Sequence, residues 1–315
     1  LGREVAEKLV GPLLGGIFAG DADAISVRAA FPQLVAAEKK YGSLLIALQK
    51  QKRTSKSPSM FASLRGGMGN LIEALVSDLE KRADVTLKIG AAVRKVSRLA
   101  ENSARFAIEL SSGAVLEADV VVVATPVNAA ASVLRGIDES AASAVDSLMG
   151  TVSSATAVFA FDRSAVNHRL DASGFIVPRT EGDELLASTW ISSKWEKRAP
   201  TGRVLIRGFL GGAGHEKTLD RDDAELSALA LLELRKLMPI SGSPLFSRVF
   251  RFDKASPQLR VGHLARARRL REKITALANV FVIGNGYDGV GMPACIKSAT
   301  ETANKIVQLE LSRSS

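Results

Sequence analysis

The chain of 315 residues carries its clearest pattern near the C terminus, where it reads Asn279-Val280-Phe281-Val282-Ile283-Gly284-Asn285-Gly286. Four consecutive apolar residues that stop at two closely spaced glycines predict a buried strand followed by a tight turn. After Pro293 we predict a helix that runs to about Leu311. Its predicted inward face consists of Cys295, Ile296, Ala299, Ala303 and Ile306.

A strand, a glycine-rich turn and a helix in this order place backbone N–H groups at the beginning of the helix. These groups have no partner within the helix, so they favour an anion or the polar edge of a heterocycle. The same pattern also describes a tight turn between a strand and a packed helix, because a glycine-rich turn alone is a weak signal. Spacing by itself leaves both interpretations open.

A second apolar run, from Val120 to Ala124, ends at Thr125-Pro126. Its four consecutive valines predict a strand that is buried on both faces, as in a parallel sheet. Further upstream, Leu71 to Leu79 has the spacing of an amphipathic helix, and Val85 to Ile89 alternates like a half-buried strand. Helices that alternate with such strands indicate an α/β domain.

The middle of the chain has a different character, because short strand patterns predominate between Thr151 and Phe252. One helix interrupts them, with acidic residues at its beginning and Arg235 and Lys236 at its end. We therefore predict an α/β plus α+β chain, in which a sheet-rich module is inserted into the α/β domain behind an N-terminal helical segment. The predicted divisions are residues 1–55, 56–150, 151–264 and 265–315.

Composition excludes several classes of protein. Hydrophobic residues make up 46% and charged residues 24%, which is typical of a folded globular chain. The single cysteine excludes an internal disulfide framework and favours a reducing, cytoplasmic setting. The longest apolar run is far shorter than the roughly 20 residues that cross a bilayer, and no signal peptide is visible.

The formal net charge is +9, but the positive charge is scattered along the chain. Aromatic residues are only 5%, so stacking platforms for bases are not evident and nucleic acid is not an expected partner. The basic run from Arg266 to Lys273 predicts a helix with a solvated face. Contact of that face with membrane headgroups or an anionic partner stays open as an alternative.

Five ordered motifs together resemble the oxygen-dependent protoporphyrinogen and coproporphyrinogen oxidases, flavoproteins of the amine oxidase superfamily. The motifs are Gly16 to Asp21 with Ile25-Ser26 and Phe31-Pro32; Ser63 to Met68; Trp195 to Pro200; Pro257-Gln258 with Val261-Gly262-His263; and Gly284 to Ile296. The similarity extends over nearly the whole chain.

The resemblance implies FAD as the cofactor and an amine oxidase fold, in which the α/β domain is part of a Rossmann-like FAD/NAD(P)-binding domain and the sheet-rich module binds the substrate. It implies oxidation of protoporphyrinogen IX or coproporphyrinogen III to the porphyrin, with dioxygen as acceptor and hydrogen peroxide as by-product, in heme biosynthesis. The implied FAD contacts are Val93, Gly284, Val290, Gly291 and Met292, and the implied substrate contacts are Ile176, Trp190 and Phe209. No catalytic side chain and no metal are implied, since the protein mainly positions the cofactor and the substrate.

Two departures from the family pattern affect these expectations. The family begins with a strand, a GxGxxG turn and a helix that bind the FAD diphosphate, whereas Leu1 to Val5 corresponds to the interior of that pattern. We therefore expect this polypeptide alone to be inactive and to bind little FAD. Trp190 is also bulkier than the aliphatic residue expected at its position.

Three alternatives remain from the sequence. A carotenoid desaturase or an amine oxidase is the nearest enzyme of another kind, and a flavin-free interaction protein is the non-catalytic one. Homodimers and peripheral membrane contact occur in the family, and the sequence decides neither.

Overall fold

The computed structural model of the protein describes residues 2–50, 62–100, 105–148, 150–182, 184–287 and 289–313, except for the side chains of residues 48 and 313. The helices, in chain order, are α1 Arg3–Val5, α2 Gly11–Phe18, α3 Val27–Ala30, α4 Pro32–Tyr41, α5 Leu44–Lys50, α6 Gly69–Glu80, α7 Val127–Arg135, α8 Glu139–Leu148, α9 Ile191–Lys194, α10 Asp223–Leu237, α11 His263–Ala276 and α12 Met292–Arg313. A π-helical turn, Ala6–Val10, joins α1 to α2.

The strands are β1 Val93–Arg98, β2 Phe106–Leu110, β3 Val115–Ala118, β4 Val121–Val123, β5 Thr151–Asp162, β6 Gly174–Ile176, β7 Leu185–Trp190, β8 Arg203–Gly211, β9 Phe246–Pro257 and β10 Val280–Val282. The chain forms two compact units. Unit 1 comprises Leu1–Asp23, Leu48–Leu87 and Val152–Ser256, and unit 2 comprises Ala24–Ala47, Lys88–Thr151 and Pro257–Ser315. The four divisions expected from the sequence stay a prediction, and the boundary between residues 55 and 56 lies outside the described residues.

Unit 1 is built on a five-stranded sheet with the strand order β6-β7-β8-β5-β9. Strands β5, β6, β7 and β8 pair antiparallel, and they confirm the strands expected there. Helix α10 packs on one face, because a Cβ atom at Gly208 would lie 3.8 Å from Ala230 Cβ. Phe159, Ile206 and Leu234 are completely buried between them. This cluster of apolar side chains is the core of unit 1.

Helix α10 begins as its acidic residues predict. The Asp222 carboxylate accepts a hydrogen bond from Glu225 N at 2.8 Å, and Glu225 Oε2 accepts one from Asp222 N at 2.9 Å. This reciprocal pair is a capping box, which satisfies two N–H groups that a helix beginning leaves without partners. Arg235 and Lys236 stand in the last turn, where they complement the helix dipole.

Unit 2 contains a three-stranded antiparallel sheet, β1-β2-β3, and the pair β10-β4. The pair is parallel, with Val280 opposite Val121 and Val282 opposite Val123, which confirms the parallel arrangement expected from the valine run. Helices α7, α8 and α11 supply the core beside it, where Leu134 and Val145 are completely buried. Parallel strands with helices packed beside them agree with the α/β character expected for this part of the chain.

Burial of the valine strand on both faces was wrong. Val121 and Val123 face the core of unit 2, but Val122 between them is 40% exposed. Successive side chains of a strand point to opposite faces, so only one face of the pair is packed. Among the described strands this parallel sheet has two members, which is too small for both faces to be covered.

Two other expectations about which residues are buried were also wrong. Val85 to Ile89 forms no strand ladder among the described residues, and Ile89 is 89% exposed. The predicted inward stripe of α12 is largely exposed, with Ile296 at 59%, whereas Thr302 at 9% is its buried residue. Alternation and helical spacing report an apolar face, but they do not supply the element that covers it.

Helix α2 continues through Gly15-Gly16 and ends at Phe18. Ala19 then takes a left-handed conformation with φ of 51°. Glycine inside a helix costs only about 1 kcal/mol, which neighbouring packing offsets. In the described part of the chain, no helix has the length and apolar character needed to span a bilayer.

Candidate functional site

The glycine-rich loop of unit 2 begins where the parallel pair ends. Ile283 N donates to Val123 O at 3.0 Å, so the loop leaves from the carboxyl end of β4 and β10. Gly286 N donates to Gly289 O at 2.8 Å, and Gly291 N donates to Asn285 Oδ1 at 2.9 Å. These bonds link Asn285 and Gly286 directly to Gly289 and Gly291. Asp288 lies outside the described residues.

Gly286 is required by close packing within unit 2. Its φ is 96°, and a Cβ atom there would lie 2.7 Å from Pro257 Cβ and 3.2 Å from Val127 Cγ2. Gly284 to Gly289 has the GxGxxG spacing that in dinucleotide-binding turns brings backbone close to a diphosphate. Here protein atoms fill the space beside the second glycine. The spacing thus serves packing and not a diphosphate.

The end of the loop is open where α12 begins. Gly291 has φ of 87°, and the nearest atom to a Cβ there would be Pro293 Cδ at 3.9 Å. Val290 is half-buried and Met292 is 49% exposed. The N-terminus of a 22-residue helix is thereby left accessible, with the partial positive charge of its dipole.

His263 ties a second motif to this loop. Its ring is 3% exposed, and Nε2 lies 3.1 Å from Tyr287 O. Tyr287 is itself buried, and this burial raises the pKa of its hydroxyl well above the ordinary value. The contact joins Val261-Gly262-His263 to Gly284-Asn285-Gly286, so His263 supports the loop from behind.

In unit 1, Arg198 joins two of the motifs found in the sequence. Its Nη2 lies 2.6 Å from Ser63 Oγ and 2.9 Å from Leu64 O. Gly67 is close as well, since a Cβ atom there would lie 3.0 Å from Arg198 Nη1. The segments Ser63 to Met68 and Trp195 to Pro200 are thus held together by one guanidinium.

The strand register places two of the three expected substrate residues in the same row on one face of the sheet. Ile176 is opposite Ala187, Ala187 is opposite Phe209, and Phe209 is opposite Thr156. These four residues form one row across the face of the sheet that is turned away from α10. Ile176 and Phe209 are half-buried. Because neighbouring strands lie about 4.8 Å apart, the Ile176 and Phe209 backbones are separated by roughly 10 Å.

Trp190 lies on the other face. It is opposite Ile206, it is 5% exposed, and its ring centroid lies 4.7 Å from that of His168 and 6.4 Å from that of Phe175. The register therefore places Trp190 on the opposite face of the sheet from Ile176 and Phe209. The bulk of Trp190 packs into the core of unit 1.

The remaining expected cofactor residues lie in unit 2. Val93 is the first residue of β1, opposite Leu110, and is 44% exposed. Gly284, with φ of 122°, Val290, Gly291 and Met292 all belong to the glycine-rich loop and the start of α12.

Sequence reasoning missed Arg207. Its side chain shares the face of Phe209, and its Cζ lies 4.6 Å from the centre of the Phe209 ring. Burial lowers the pKa of its guanidinium. The alternation Leu205, Arg207, Phe209 against Val204, Ile206, Gly208 could have shown that Arg207 and Phe209 share a face.

Comparison with known proteins agrees with these motifs. The sequence matches the family described as Flavin containing amine oxidoreductase over residues 1–307. It is 34% identical to coproporphyrinogen III oxidase of Bacillus subtilis over 94% of this chain and 63% of the relative. The corresponding enzyme of Staphylococcus aureus is 30% identical over 98% of this chain and 66% of its own length.

Plant proteins and solved structures extend the comparison. Chloroplastic protoporphyrinogen oxidase 1 of Arabidopsis thaliana is 28% identical over 97% of this chain and 61% of the relative. A crystal structure from Exiguobacterium sp. 255-15, provisionally assigned as a protoporphyrinogen oxidase, superposes with a TM-score of 0.82 at 31% identity, over 98% of this chain and 65% of that one. This chain thus spans somewhat less than two thirds of the length of the relatives that it matches.

Proposed function

Because the chain belongs to the family of flavin containing amine oxidoreductases, we propose that it acts in the FAD-dependent oxidation of a porphyrinogen to the porphyrin, a step of heme biosynthesis. The substrate would be protoporphyrinogen IX or coproporphyrinogen III, with dioxygen as the acceptor and hydrogen peroxide as the by-product. The names of the bacterial and plant relatives support this reaction class. The observation that carries the proposal is the half-buried row of Ile176 and Phe209 on a sheet face without α10.

The residues at the start of α12 fit a flavin. We propose that the backbone of Val290, Gly291 and Met292 contacts the isoalloxazine edge, that Gly284 contributes backbone nearby, and that Val93 meets the adenine end. The backbone of Gly291 is not covered by neighbouring side chains, since only Pro293 Cδ lies within 4 Å of a Cβ placed there, and the helix N-terminus would stabilise negative charge beside it. When bound, the flavin supplies the two-electron acceptor. The chain itself positions that edge and holds its charge.

The row of Ile176 and Phe209 is suited to one face of a tetrapyrrole. Apolar surface removed from water contributes roughly 25 cal/mol per Å². A macrocycle that covers such a row gains several kcal/mol from the aliphatic and aromatic contacts together. We propose that these residues bind the body of the substrate, whereas Trp190 supports the sheet from its opposite face.

A chimera provides the test. Residues 1–315 replace the matched part of the Bacillus subtilis enzyme, so that the unmatched part of that relative completes the protein. We expect a yellow protein that converts coproporphyrinogen III or protoporphyrinogen IX to a fluorescent porphyrin with release of hydrogen peroxide. The parent enzyme and the chimera lacking FAD are the controls. A folded, yellow chimera that produces porphyrin from neither substrate would contradict the proposal.

A further inference from the structure

Arg207 occupies an unusual position on the sheet of unit 1. It is opposite Thr189 on β7 and Val158 on β5, one row along from Ile176, Ala187 and Phe209. The six residues Thr156, Ile176, Ala187, Thr189, Arg207 and Phe209 share one face, which we call the Phe209 face. Arg207 is the only one of these six that carries a charge.

The guanidinium of Arg207 is held without a counter-charge. Its Nε is buried and has no hydrogen-bond partner among the described residues. None of the described carboxylates forms an ion pair with it, and its recorded contact is the ring of Phe209 at 4.6 Å. A half-buried cation that has no carboxylate partner among the described residues costs free energy.

Other arginines of unit 1 have protein partners for their guanidinium groups. Arg251 donates to Asp223 Oδ1 at 2.7 Å and to Leu219 O at 2.7 Å. Arg198 donates to Ser63 and Leu64. Arg203, on the same strand and the same face as Arg207, is ion-paired with Asp162. The difference shows that Arg207 is not placed for an internal structural bond.

Packing alone does not account for the residue either. Leu205, two positions earlier on the same strand, presents an aliphatic side chain to the same face. An apolar residue at 207 would therefore fit the local pattern without a desolvation cost. An arginine is favoured over it when an anion arrives and pairs with the guanidinium.

We propose that Arg207, beside Phe209, binds a carboxylate of the substrate and so forms a carboxylate subsite on the Phe209 face. The inference rests on the proposed function and deepens it. A planar guanidinium matches a carboxylate with two parallel hydrogen bonds. The Thr189 hydroxyl, opposite Arg207, adds a second polar group in the same row.

The spacing defines the ligand. Arg207 and Ile176 are two strands and two residues apart, so their backbones are separated by roughly 12 Å. The ligand is thus an amphiphile with a broad apolar body and an acidic side arm at its rim. A porphyrinogen with propionate arms has this character, and the tetracarboxylate coproporphyrinogen III presents more such arms than protoporphyrinogen IX.

The test uses the chimera described above and its variant Arg207→Met, which removes the charge and keeps most of the volume. The first measurement is the affinity for coproporphyrin III and for its tetramethyl ester, each determined from fluorescence in the presence of FAD. We expect the unsubstituted chimera to prefer the free acid, and Arg207→Met to lose about 10- to 100-fold of that preference, the range for hydrogen bonds to a charged group. Arg207→Lys should retain part of it.

Arg203→Met is the matched control, because it removes a cation from the same strand and face where the charge is already paired. It should keep the preference for the free acid. In turnover, Arg207→Met should raise KM for coproporphyrinogen III by a similar factor and change kcat much less. If the chimera and the folded Arg207→Met variant show the same preference for the free acid over the ester, the inference is overturned. Porphyrin formation by the chimera would still support the proposed function in that case. If the chimera forms no porphyrin, the proposed function is contradicted. The ratio of the affinities for the free acid and for the ester then tests the role of Arg207 independently.

Discussion

The Nη2 atom of Arg198 lies 2.6 Å from Ser63 Oγ, across 135 positions of sequence. With the bond to Leu64 O at 2.9 Å, it connects two segments of unit 1 that no strand ladder joins in the described part of the chain. Motifs that are separate in the sequence are thus parts of one local structure.

Substitution of Arg198 by Met is expected to destabilise the protein by about 1–3 kcal/mol, since two hydrogen bonds from a charged group are lost and Leu64 O loses its donor. Urea unfolding of the chimera measures the change. Ser63→Ala should cost less, and the double variant should show coupling of at least ~0.5 kcal/mol. Arg82→Met, which breaks an exposed pair with Asp78, is the control and should change stability by less than about 1 kcal/mol. If the Arg198 and Arg82 substitutions change the free energy of unfolding equally, the hydrogen bonds of Arg198 to Ser63 and Leu64 do not stabilise the fold.

Gly286→Ala should destabilise unit 2 because the new methyl group meets Pro257 and Val127. Gly113→Ala is the matched control: its φ of 87° is similarly left-handed, but no atom lies within 4 Å of the added Cβ. Both variants carry backbone strain, and only Gly286→Ala adds overpacking, which typically costs about 1–3 kcal/mol. Thermal or urea unfolding of both proteins measures the difference. Equal losses would mean that the loop gives way to the methyl group.

Asp138 caps helix α8, and its effect should depend on pH. Its carboxylate accepts from Ser140 Oγ at 2.7 Å and from Ala141 N at 2.7 Å, and these hydrogen bonds lower its pKa below the ordinary value. A lowered folded-state pKa means that the stabilisation is complete above the unfolded pKa, about 4 for Asp. It is lost as the pH falls through the folded value.

Asp138→Ala should therefore cost about 1 kcal/mol at pH 7 and progressively less below pH ~4. Unfolding of the variant and the parent chimera over this pH range gives the comparison. Ser132→Ala, which removes only a bond to its own helix, is the control for a nearby substitution. A difference that stays constant down to acid pH would argue against the charged cap.

The two faces of the unit 1 sheet should respond differently to truncation. Trp190→Ala removes a buried core side chain and should cost about 3–5 kcal/mol of stability. Phe209→Ala, on the half-buried face, should cost less stability and raise KM for the porphyrinogen by roughly 10-fold or more. Unfolding and turnover measured on the same preparations test both statements. A large KM effect of a stable Trp190→Phe variant would return Trp190 to the substrate site.

Much of the secondary structure followed from the sequence, but the side of the sheet on which a residue lies did not. The charges around Asp222 and Arg235 predicted both ends of α10, and period-two patterns predicted the strands of unit 1. The face on which Trp190 lies did not follow from the sequence, because it depends on the register, and the register shifts between Leu185 and Ala187. The consecutive residues Leu185, Leu186 and Ala187 are all apolar, so no alternation reveals that irregularity.

Which faces of the helices and strands are buried could not be predicted from the sequence either. Ile89 and Ile296 belong to regular apolar patterns and are nevertheless exposed. A pattern states that a partner surface is needed, and only the fold shows whether the described residues provide it. Arg207, by contrast, could have been placed beside Phe209 from strand parity alone.

The parallel pair β4-β10 has a practical consequence for work with this polypeptide. Neither outer edge of the pair has a strand neighbour among the described residues, and Val122 presents apolar surface beside them. Backbone donors and acceptors along such edges recruit any extended chain that can reach them. A preparation of these 315 residues by themselves is therefore expected to self-associate through these edges. An added strand that pairs with β4 or β10 should reduce this self-association.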